Sequence, residues 1–476
     1  MDTPQGPTTL PLCVDLDGTL LRSDLLLESA LALLARRPWM VFALPWWLLR
    51  GKARLKREIA RRVQLDPAHL PYDERVLAHL RAHPGRHRVL CTASDEGLAR
   101  PVAEHLGCFD EVMASDGHRN LSGGNKARAL VERFGERGFD YAGNGPVDLA
   151  VWSHARRALV VNAGEGLARA AARRCDVEQH WPAKGGGPKA WLRALRLHQW
   201  LKNLLVFIPL LASHRFFEPG AVLASASGFV AFGLCASGVY LLNDLLDLPS
   251  DRRHPRKRLR PFAAGTLPLL HGALLAPLLA LAGLGLAWWA EPRFAAVLAA
   301  YYVITLGYSL HFKRVVMLDV ILLAALYTVR IIGGTVVIGA TLSFWLLAFS
   351  MFIFLSLALL KRYTELAAML AEGRSDAAGR GYTVDDLPLL QSLGAASGYL
   401  AVLVLALYIN SPESIALYAQ PKVLWLLCPL MLYWVSRTWV IAHRGEMHDD
   451  PVVFAATDRV SQGVGLLCGA IALAAI

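Results

Sequence analysis

The chain has 476 residues, of which 55% are hydrophobic, and its mean hydropathy is +0.38. This length exceeds that of one ordinary domain, and the hydrophobic fraction lies above the range of soluble proteins. A formal net charge of +11 at pH 7 would suit a nucleic-acid-binding protein, but the basic residues stand between long apolar runs. Membrane topology explains that arrangement better, so we expect a membrane protein and no nucleic-acid partner.

The seven cysteines lie far apart, with no CxxC pair and no Cys/His spacing typical of a metal site. We expect them to be small buried hydrophobic residues in a reducing compartment. The first 20 residues lack a basic start followed by an apolar core, so no cleavable signal peptide is predicted. The N-terminal region is therefore expected to stay in the cytoplasm.

The first chemical motif follows a short apolar strand predicted at residues 11–14. It reads Asp15-Leu16-Asp17-Gly18-Thr19, with two carboxylates at a strand end and a glycine for the turn. Such a pair can hold Mg²⁺ and offer both a nucleophile and an acid/base. An ordinary polar loop is the alternative interpretation.

Three further elements follow in order: a strand at 87–94 that ends in hydroxyls, a lysine after a Gly-Gly turn, and a Gly-Asn-Gly segment at 143–148. Together with the first motif they resemble the haloacid dehalogenase-like phosphatase superfamily, across about residues 9–180. The resemblance implies an α/β Rossmann-like domain with a helical cap. It also implies residue roles: Asp15 as nucleophile, Asp17 as acid/base, Thr92 and Lys126 as phosphate ligands, and Asp15, Asp17, Asn144 and Asp148 around Mg²⁺. The family usually has aspartate at the position of Asn144, so a degenerate or regulatory domain is the alternative.

The predicted cap, residues 24–66, contains an unusual apolar stretch at 38–49 with three tryptophans. Twelve apolar residues cannot span a bilayer. Because a basic run from Arg50 to Arg57 follows, the stretch resembles an interfacial membrane anchor. A cap core packed against the body of the domain is the alternative.

A segment rich in glycine and proline, residues 182–188, separates this region from the remainder of the chain. We therefore predict a phosphatase-like domain at 1–184, a linker at 185–190 and an all-α polytopic membrane domain at 191–476. Its nine predicted transmembrane segments are about 199–213, 220–242, 267–290, 294–310, 316–339, 341–360, 388–409, 421–440 and 459–476.

Charge bias provides a check on this topology, since positive residues collect on the cytoplasmic side of a bilayer. The loops after the even-numbered segments hold 15 Lys and Arg residues, Arg374 and Arg380 included, against 3 at the other loops. This pattern predicts a bacterial-type inner (plasma) membrane protein with a cytoplasmic N-terminal domain and an external C-terminus.

The most informative stretch of the membrane domain is residues 243–261, which is rich in Asp and then in Arg. Asn243, Asp247 and Asp251 repeat every four residues, which predicts one face of a helix that continues the second segment. Oxygens at this spacing are suitable ligands for Mg²⁺ that bridges to substrate phosphates, and the cations that follow would balance the remaining phosphate charge. Solvated topology signals are the alternative.

This stretch resembles the first signature of the UbiA superfamily of intramembrane transferases, and the resemblance covers about 190–476. Ordinary members carry a second Asp-rich motif after the sixth segment, but here residues 361–366 read Lys-Arg-Tyr-Thr-Glu-Leu. Together with 254–261 and 449–459, that departure resembles the decaprenyl-phosphate phosphoribosyltransferase branch. The implied substrate-binding residues of the membrane domain are Gln199, Lys202, Asn203, Lys257, Arg260, Tyr308, Lys313, Lys361, Arg362 and Glu365, with catalytic and metal-binding roles for Asn243, Asp247 and Asp251.

The resemblance implies a Mg²⁺-dependent transfer of 5-phosphoribosyl from phosphoribosyl pyrophosphate to a polyprenyl phosphate, in a membrane-lipid environment. The N-terminal domain would then remove the 5-phosphate, giving polyprenyl-phosphoryl ribose, a precursor of cell wall arabinan. Two alternatives stay open: a transferase with a prenyl diphosphate donor and an aromatic acceptor, and a lipid-phosphate transporter. The oligomeric state stays open as well, a homo-oligomer included. Asp319 and Arg330, inside the fifth segment, are expected to be functional or paired.

Overall fold

The computed structural model describes residues 10–183, 185–373, 381–447 and 450–476. Four residues used in the predictions lie outside these ranges: Lys184 of the domain boundary, Arg374 and Arg380 of the basic loops, and Asp449 of the C-terminal motif. The chain divides into two compact units, one of residues 1–195 and 240–276 and the other of residues 196–239 and 277–476. Below they are called the first and the second unit.

The first unit contains a six-stranded parallel sheet with the strand order β3-β2-β1-β4-β5-β6. Its strands are β1 Leu12–Val14, β2 Arg88–Asp95, β3 Glu111–Ser115, β4 Asp140–Gly143, β5 Arg157–Val161 and β6 Asp176–Trp181. The strand order reverses between β1 and β4, the place where open α/β sheets form a crevice at the carboxyl ends of their strands. The predicted Rossmann-like class is confirmed.

The first unit has two apolar cores, one on each face of the sheet, because neighbouring side chains of a strand point to opposite faces. Leu12 and Val14 point into one core, whereas Cys13 points into the other. Both faces of a parallel sheet are covered by helices, so β1 and β5 are apolar at nearly every position, whereas the edge strand β6 has mostly polar residues. The helices of this part of the chain are α1 Leu25–Arg36, α2 Ala43–Leu49, α3 Lys52–Ala60, α4 Glu74–Ala82, α5 Glu96–Leu106, α6 Gly124–Phe134, α7 Leu149–Trp152, α8 Glu165–Ala172 and α9 Pro188–Leu195.

Helix α9 begins inside the predicted linker. Proline is common at the first position of a helix, because the amide that it lacks would have no partner there, and Pro188 occupies that position. A further twelve helices follow: α10 Ile208–Ala212, α11 Pro219–Leu246, α12 Leu248–Arg253, α13 Leu269–Ala290, α14 Pro292–Leu310, α15 Leu318–Val337, α16 Phe344–Ala371, α17 Leu387–Ile409, α18 Pro412–Leu417, α19 Leu427–His443, α20 Pro451–Thr457 and α21 Arg459–Ala475.

Seven helical segments of the described residues are long and apolar enough to cross a membrane. They coincide with the second to eighth predicted segments, so a multi-pass membrane protein is confirmed. The first and ninth predicted segments lie in shorter apolar helices, Leu197–Ala212 and Arg459–Ala475. Within the former, residues Leu197–Phe207 form a 3₁₀ helix. The count of nine therefore stays a prediction.

Close contacts between helices of the second unit depend on small residues, as is common in membrane proteins. A Cβ atom at Gly334 would lie 2.2 Å from the carbonyl oxygen of Val206, which no side chain could accommodate. All seven cysteines are free. Five of them are buried, as predicted, whereas Cys108 and Cys468 are only partly buried.

Candidate active sites

In the first unit, the predicted phosphatase residues come together at the carboxyl ends of the central strands. Asp15 follows β1, Thr92 lies near the end of β2, and Asp148 lies in the 3₁₀ turn after β4. Gly18, in the turn after Asp15, has a φ of +75°, a conformation that favours glycine. A Cβ atom there would also lie 2.1 Å from the Asn144 amide nitrogen, so Asn144 lies directly against this turn.

A buried chain of hydrogen bonds runs through Asp15. Lys126 Nζ, at the start of α6, donates to Asp15 Oδ1 and to Tyr141 Oη, both at 2.8 Å. The Tyr141 hydroxyl in turn donates to Asp148 Oδ1 at 2.9 Å. Burial raises the pKa of Asp15 to about 6, against the lowering effect of Lys126. Burial lowers the pKa of Lys126, but the charge of Asp15 outweighs this and keeps the pKa above its usual value.

Asp17 is held by donors from two neighbouring elements. The Leu25 amide, at the start of α1, donates to Asp17 Oδ1 at 2.8 Å, and Ser94 Oγ donates to Oδ2 at 2.6 Å. Burial, followed by the charges of Asp24 and Asp15, raises the pKa of Asp17 to about 7. A carboxyl group with such a pKa can exchange a proton near neutral pH. Ser94 was not predicted, although the hydroxyl-rich end of its strand was a visible signal.

The donor chemistry at this site suits Mg²⁺, because the ligands are carboxylate and amide oxygens. Asn144 Oδ1 accepts a hydrogen bond from Thr19, while Asp148 Oδ2 accepts from the amides of Asn144 and Gly145. Among the described residues, however, no group of three or more His, Cys, Asp or Glu side chains is arranged to hold a metal ion. Both predicted magnesium sites therefore stay predictions.

Lys56 is a further candidate that the sequence did not reveal. It lies on α3 of the cap, and its Nζ donates to the Ala93 carbonyl at 2.5 Å and to Asn120 Oδ1 at 2.9 Å. Ala93 stands between Thr92 and Ser94, so this cation lies beside the candidate catalytic residues. Burial lowers the pKa of Lys56, and the charge of Asp17 opposes this shift. From the sequence, the basic run that contains Lys56 indicates only a part of a membrane anchor.

The apolar cap stretch is largely exposed. Trp39 is 65%, Phe42 82%, Trp46 56% and Leu49 82% exposed, whereas Trp47 is only 9% exposed. Trp47 packs in a small core with α1 and α3 residues. Met40, Ala43 and Leu44 are partly buried against the same core. The exposures therefore favour the interfacial interpretation for one side of the stretch and the cap-core interpretation for the side that contains Trp47.

The Asp-rich stretch also belongs to the first unit, and its helix is interrupted. Helix α11 ends at Leu246 and α12 begins at Leu248, because Pro249 has no amide with which to continue the helical ladder. Helical spacing nevertheless persists, since the Asp247 amide donates to the Asn243 carbonyl and the Asp251 amide to the Asp247 carbonyl, each at 2.9 Å.

Arg260 connects two aspartates of the stretch. Arg260 Nη1 donates to Asp251 Oδ2 at 2.7 Å and to Asp244 Oδ1 at 3.2 Å. Burial raises the pKa of Asp251, and Arg260 opposes this shift. Asp244 was not among the predicted site residues, although it belongs to the same motif. Lys257 is exposed on the 3₁₀ turn Lys257–Leu259.

In the second unit, two predicted cations share one carboxylate. Lys202 Nζ donates to Asp450 Oδ2, and Lys361 Nζ lies 3.8 Å from the same oxygen. Burial raises the pKa of Asp450, but the two lysines outweigh this and lower it. The neighbouring Asn203 is 1% exposed, and its Nδ2 has no hydrogen-bond partner in the described part of the chain. The described part of this cluster thus contains two lysines around one carboxylate, and Asn203 follows Lys202 in the chain.

Arg362 occupies a different position from its neighbour Lys361. It is 1% exposed, and it donates to Asp319, to Glu365 at 2.6 Å and to the Tyr308 hydroxyl at 2.9 Å. Its guanidinium is thus engaged by three side chains, and its predicted contact with a phosphate stays a prediction.

Asp319 and Arg330 were expected to be functional or paired, and each of them has side-chain partners. Asp319 accepts from Arg362 and from the Tyr382 hydroxyl. Arg330 donates to Asn203 Oδ1 and to the Tyr301 hydroxyl, each at 2.9 Å. Gln199 and Lys313, the remaining predicted residues of this unit, are partly buried.

A membrane helical domain with an Asp-rich segment and a cationic cluster defines the class of protein. The model of the UbiA prenyltransferase family matches residues 204–457, and the chain belongs to that family. It is 38% identical to the uncharacterized protein y4nM of Sinorhizobium fredii, over 96% of this chain and 89% of that protein.

Two other similarities are more limited. The chain is 40% identical to the decaprenyl-phosphate phosphoribosyltransferase of Mycolicibacterium smegmatis over 179 residues, which are 37% of this chain and 56% of that relative. A solved UbiA homologue from Archaeoglobus fulgidus, bound to DMAPP and Mg²⁺, is 18% identical, with a TM-score of 0.45 over 60% of this chain and 99% of the other.

Proposed function

We propose that the membrane domain, residues 191–476, transfers 5-phosphoribosyl from phosphoribosyl pyrophosphate to a polyprenyl phosphate. The observation that carries this proposal is the pair of lysines on one carboxylate, Lys202 and Lys361 on Asp450. Lys361 lies where ordinary family members have their second Asp-rich motif. Direct binding of a phosphate by cations thus replaces binding through a second metal ion. Similarity to a relative named decaprenyl-phosphate phosphoribosyltransferase supports the same choice.

In the proposed transfer, a phosphate oxygen of the lipid attacks C1 of the ribose, and the bond from C1 to the pyrophosphate oxygen breaks. Lys202 and Lys361 would hold a phosphate of one substrate, and the Asn203 amide would donate to it. Asn243, Asp247 and Asp251 would hold Mg²⁺, which would neutralise the charge of the leaving diphosphate. Arg260 would keep Asp251 in place, with Asp244 on its other side.

The N-terminal domain, residues 1–184, would remove the 5-phosphate from the lipid-linked product. Asp15 would attack phosphorus, and Asp17 would give a proton to the ester oxygen that leaves. Water would then release phosphate from Asp15. Lys126 holds Asp15 in position and, with Thr92 and Lys56, supplies groups for the phosphate. The exposed apolar stretch 38–49 would bring this domain to the cytoplasmic surface of the membrane, where the lipid product lies.

Pyrophosphate release tests the transfer. The purified chain would be incubated with Mg²⁺ and either phosphoribosyl pyrophosphate plus a polyprenyl phosphate or a prenyl diphosphate plus an aromatic acceptor. We expect release with the first pair only, a marked loss in Lys361→Met, and no change in the matched variant of an exposed lysine, Lys422→Met. Release with the second pair only would favour the ordinary prenyltransferase reaction. No release with either pair would contradict both.

A further inference from the structure

A buried ion pair joins the cap of the first unit to its Asp-rich stretch. Arg252 of α12 donates through Nη1 and Nη2 to the two carboxylate oxygens of Glu28 on α1, at 2.6 and 2.7 Å. Both side chains are at most 6% exposed. The third nitrogen of the guanidinium, Nε, donates to the Ala263 carbonyl at 3.0 Å. All three nitrogens of the Arg252 guanidinium therefore have a hydrogen-bond acceptor.

The contact extends beyond this pair. Gly265 has a φ of +66°, and a Cβ atom there would lie 2.7 Å from the Cβ of Arg22, so the two backbones approach closely. At the rim, Arg253 Nη2 lies 3.2 Å from the exposed carboxylate of Asp66. A turn that follows the Asp-rich stretch and the segment before the cap thus fit against each other over several residues.

Both partners of the ion pair stand next to candidate catalytic groups. Helix α1 begins with the Leu25 amide on Asp17 Oδ1, and Glu28 lies in the first turn of that helix. Arg252 directly follows Asp251, which Arg260 joins to Asp244. A shift of Arg252 would therefore move the carboxylate beside it.

Simple adhesion between two elements does not require a buried ion pair, since apolar side chains of similar volume often stabilise a contact at least as well. A bidentate Arg–carboxylate pair, in contrast, fixes the relative geometry of its two partners. We propose that Glu28 is a positioning residue of the transferase: through Arg252, the N-terminal cap holds the Asp-rich stretch in the arrangement that binds magnesium diphosphate. This inference rests on the proposed metal site of that stretch.

Residues that orient metal ligands typically change metal affinity or activity by about 10- to 100-fold when replaced. In Glu28→Gln, which keeps the size of the side chain, we therefore expect the Mg²⁺ concentration for half-maximal pyrophosphate release to rise about tenfold. The maximal rate at saturating Mg²⁺ should change much less. Asp66→Asn is the matched control, because it removes an exposed ion pair at the rim of the same contact, and we expect no change from it.

A second readout does not depend on the substrate. Hydrogen exchange of the full chain would be followed in peptides that cover 247–260, with and without Mg²⁺ and inorganic pyrophosphate. We expect protection in the wild type and in Asp66→Asn, and a tenfold higher Mg²⁺ requirement for it in Glu28→Gln. Such a result without any ribosyl transfer would support the inference while contradicting the proposed donor.

The double variant of Glu28→Gln and Arg252→Gln, compared with the two single variants, keeps the test informative if a single change perturbs folding. Because the two residues are proposed to act through each other, Arg252→Gln should add little to the effect of Glu28→Gln. Additive effects, an unchanged Mg²⁺ requirement in Glu28→Gln, or a wild type that magnesium pyrophosphate does not protect at 247–260 would each overturn the inference.

Discussion

Replacement of Asp73 by asparagine should destabilise the N-terminal domain and loosen its candidate catalytic turn. The Asp73 carboxylate is fully buried and accepts hydrogen bonds from Arg22 and Arg75. Arg75 also donates to Asn162 Oδ1 at 2.7 Å, and Asn162 Nδ2 donates to the Gly18 carbonyl at 3.0 Å. Asp73 thus supports the turn that follows Asp15.

The pKa of Asp73 gives the size of the effect. Burial raises this pKa, but the bonds from Arg75 and the charge of Arg22 outweigh burial and lower it to about 2. An unperturbed aspartate has a pKa of about 3.9, and each pKa unit corresponds to about 1.36 kcal/mol, so ionised Asp73 contributes roughly 2 to 3 kcal/mol. Because the folded-state pKa is the lower one, this stability is present above the unfolded-state pKa of about 4 and is lost as the pH falls through about 2.

Hydrogen exchange of β1 and β2 amides in the full chain measures the opening free energy of this domain. We expect it to fall by roughly 2 to 3 kcal/mol in Asp73→Asn at pH 7, and the difference between the wild type and this variant to disappear between about pH 5 and pH 1. Glu165→Gln, which changes a carboxylate that is 79% exposed, should stay within about 0.5 kcal/mol of the wild type. Equal exchange in the wild type and Asp73→Asn would refute the reasoning.

Three further predictions concern activity. Asp247→Ala should abolish transfer in a folded protein, because its carboxylate is proposed to hold the metal, and pyrophosphate release by a folded variant would remove that assignment. Lys56→Met should raise the KM of phosphate release about tenfold, since a hydrogen bond to a charged group contributes about 1.5–3 kcal/mol; an unchanged KM would place Lys56 outside the site. Phe42→Ser combined with Leu49→Ser should slow dephosphorylation of the lipid product in bilayers at least tenfold but not that of a soluble sugar phosphate, and equal slowing of both would contradict membrane docking.

Local patterns in the sequence were sufficient to predict much of this architecture. The apolar runs predicted the seven long membrane helices, and the resemblance to a phosphatase superfamily indicated Asp15 and Lys126, which are hydrogen-bonded to each other. The cost of charge inside a membrane predicted that Asp319 would be paired. The membrane helices and the pairing of Asp319 need only neighbouring residues or one general physical cost, whereas Lys126 needed the family resemblance.

Pairings between distant residues could not be predicted in the same way. Glu28 and Arg252 are 224 positions apart, and nothing near either residue indicates the other. Lys56 belongs to a basic run in which the sequence does not distinguish one cation from another. Only the fold shows that Lys56 is the one that contacts Ala93. Arg362 and Lys361 are adjacent in the chain. Arg362 forms a buried ion pair because Asp319, on another helix, lies beside it, whereas Lys361 stays partly exposed. A single sequence contains no record of such tertiary partners.

The masses of the lipid products test the central claim most directly. Wild type and Asp15→Asn would each be incubated with Mg²⁺, phosphoribosyl pyrophosphate and a polyprenyl phosphate. The molecular masses of the extracted lipids would then be measured by mass spectrometry. We expect the wild type to add one ribose to the lipid phosphate and Asp15→Asn to add one ribose phosphate, because transfer uses residues of a different site. Identical products from the two proteins would contradict a phosphatase role for the N-terminal domain, and no ribosylated lipid from either would contradict the transferase itself.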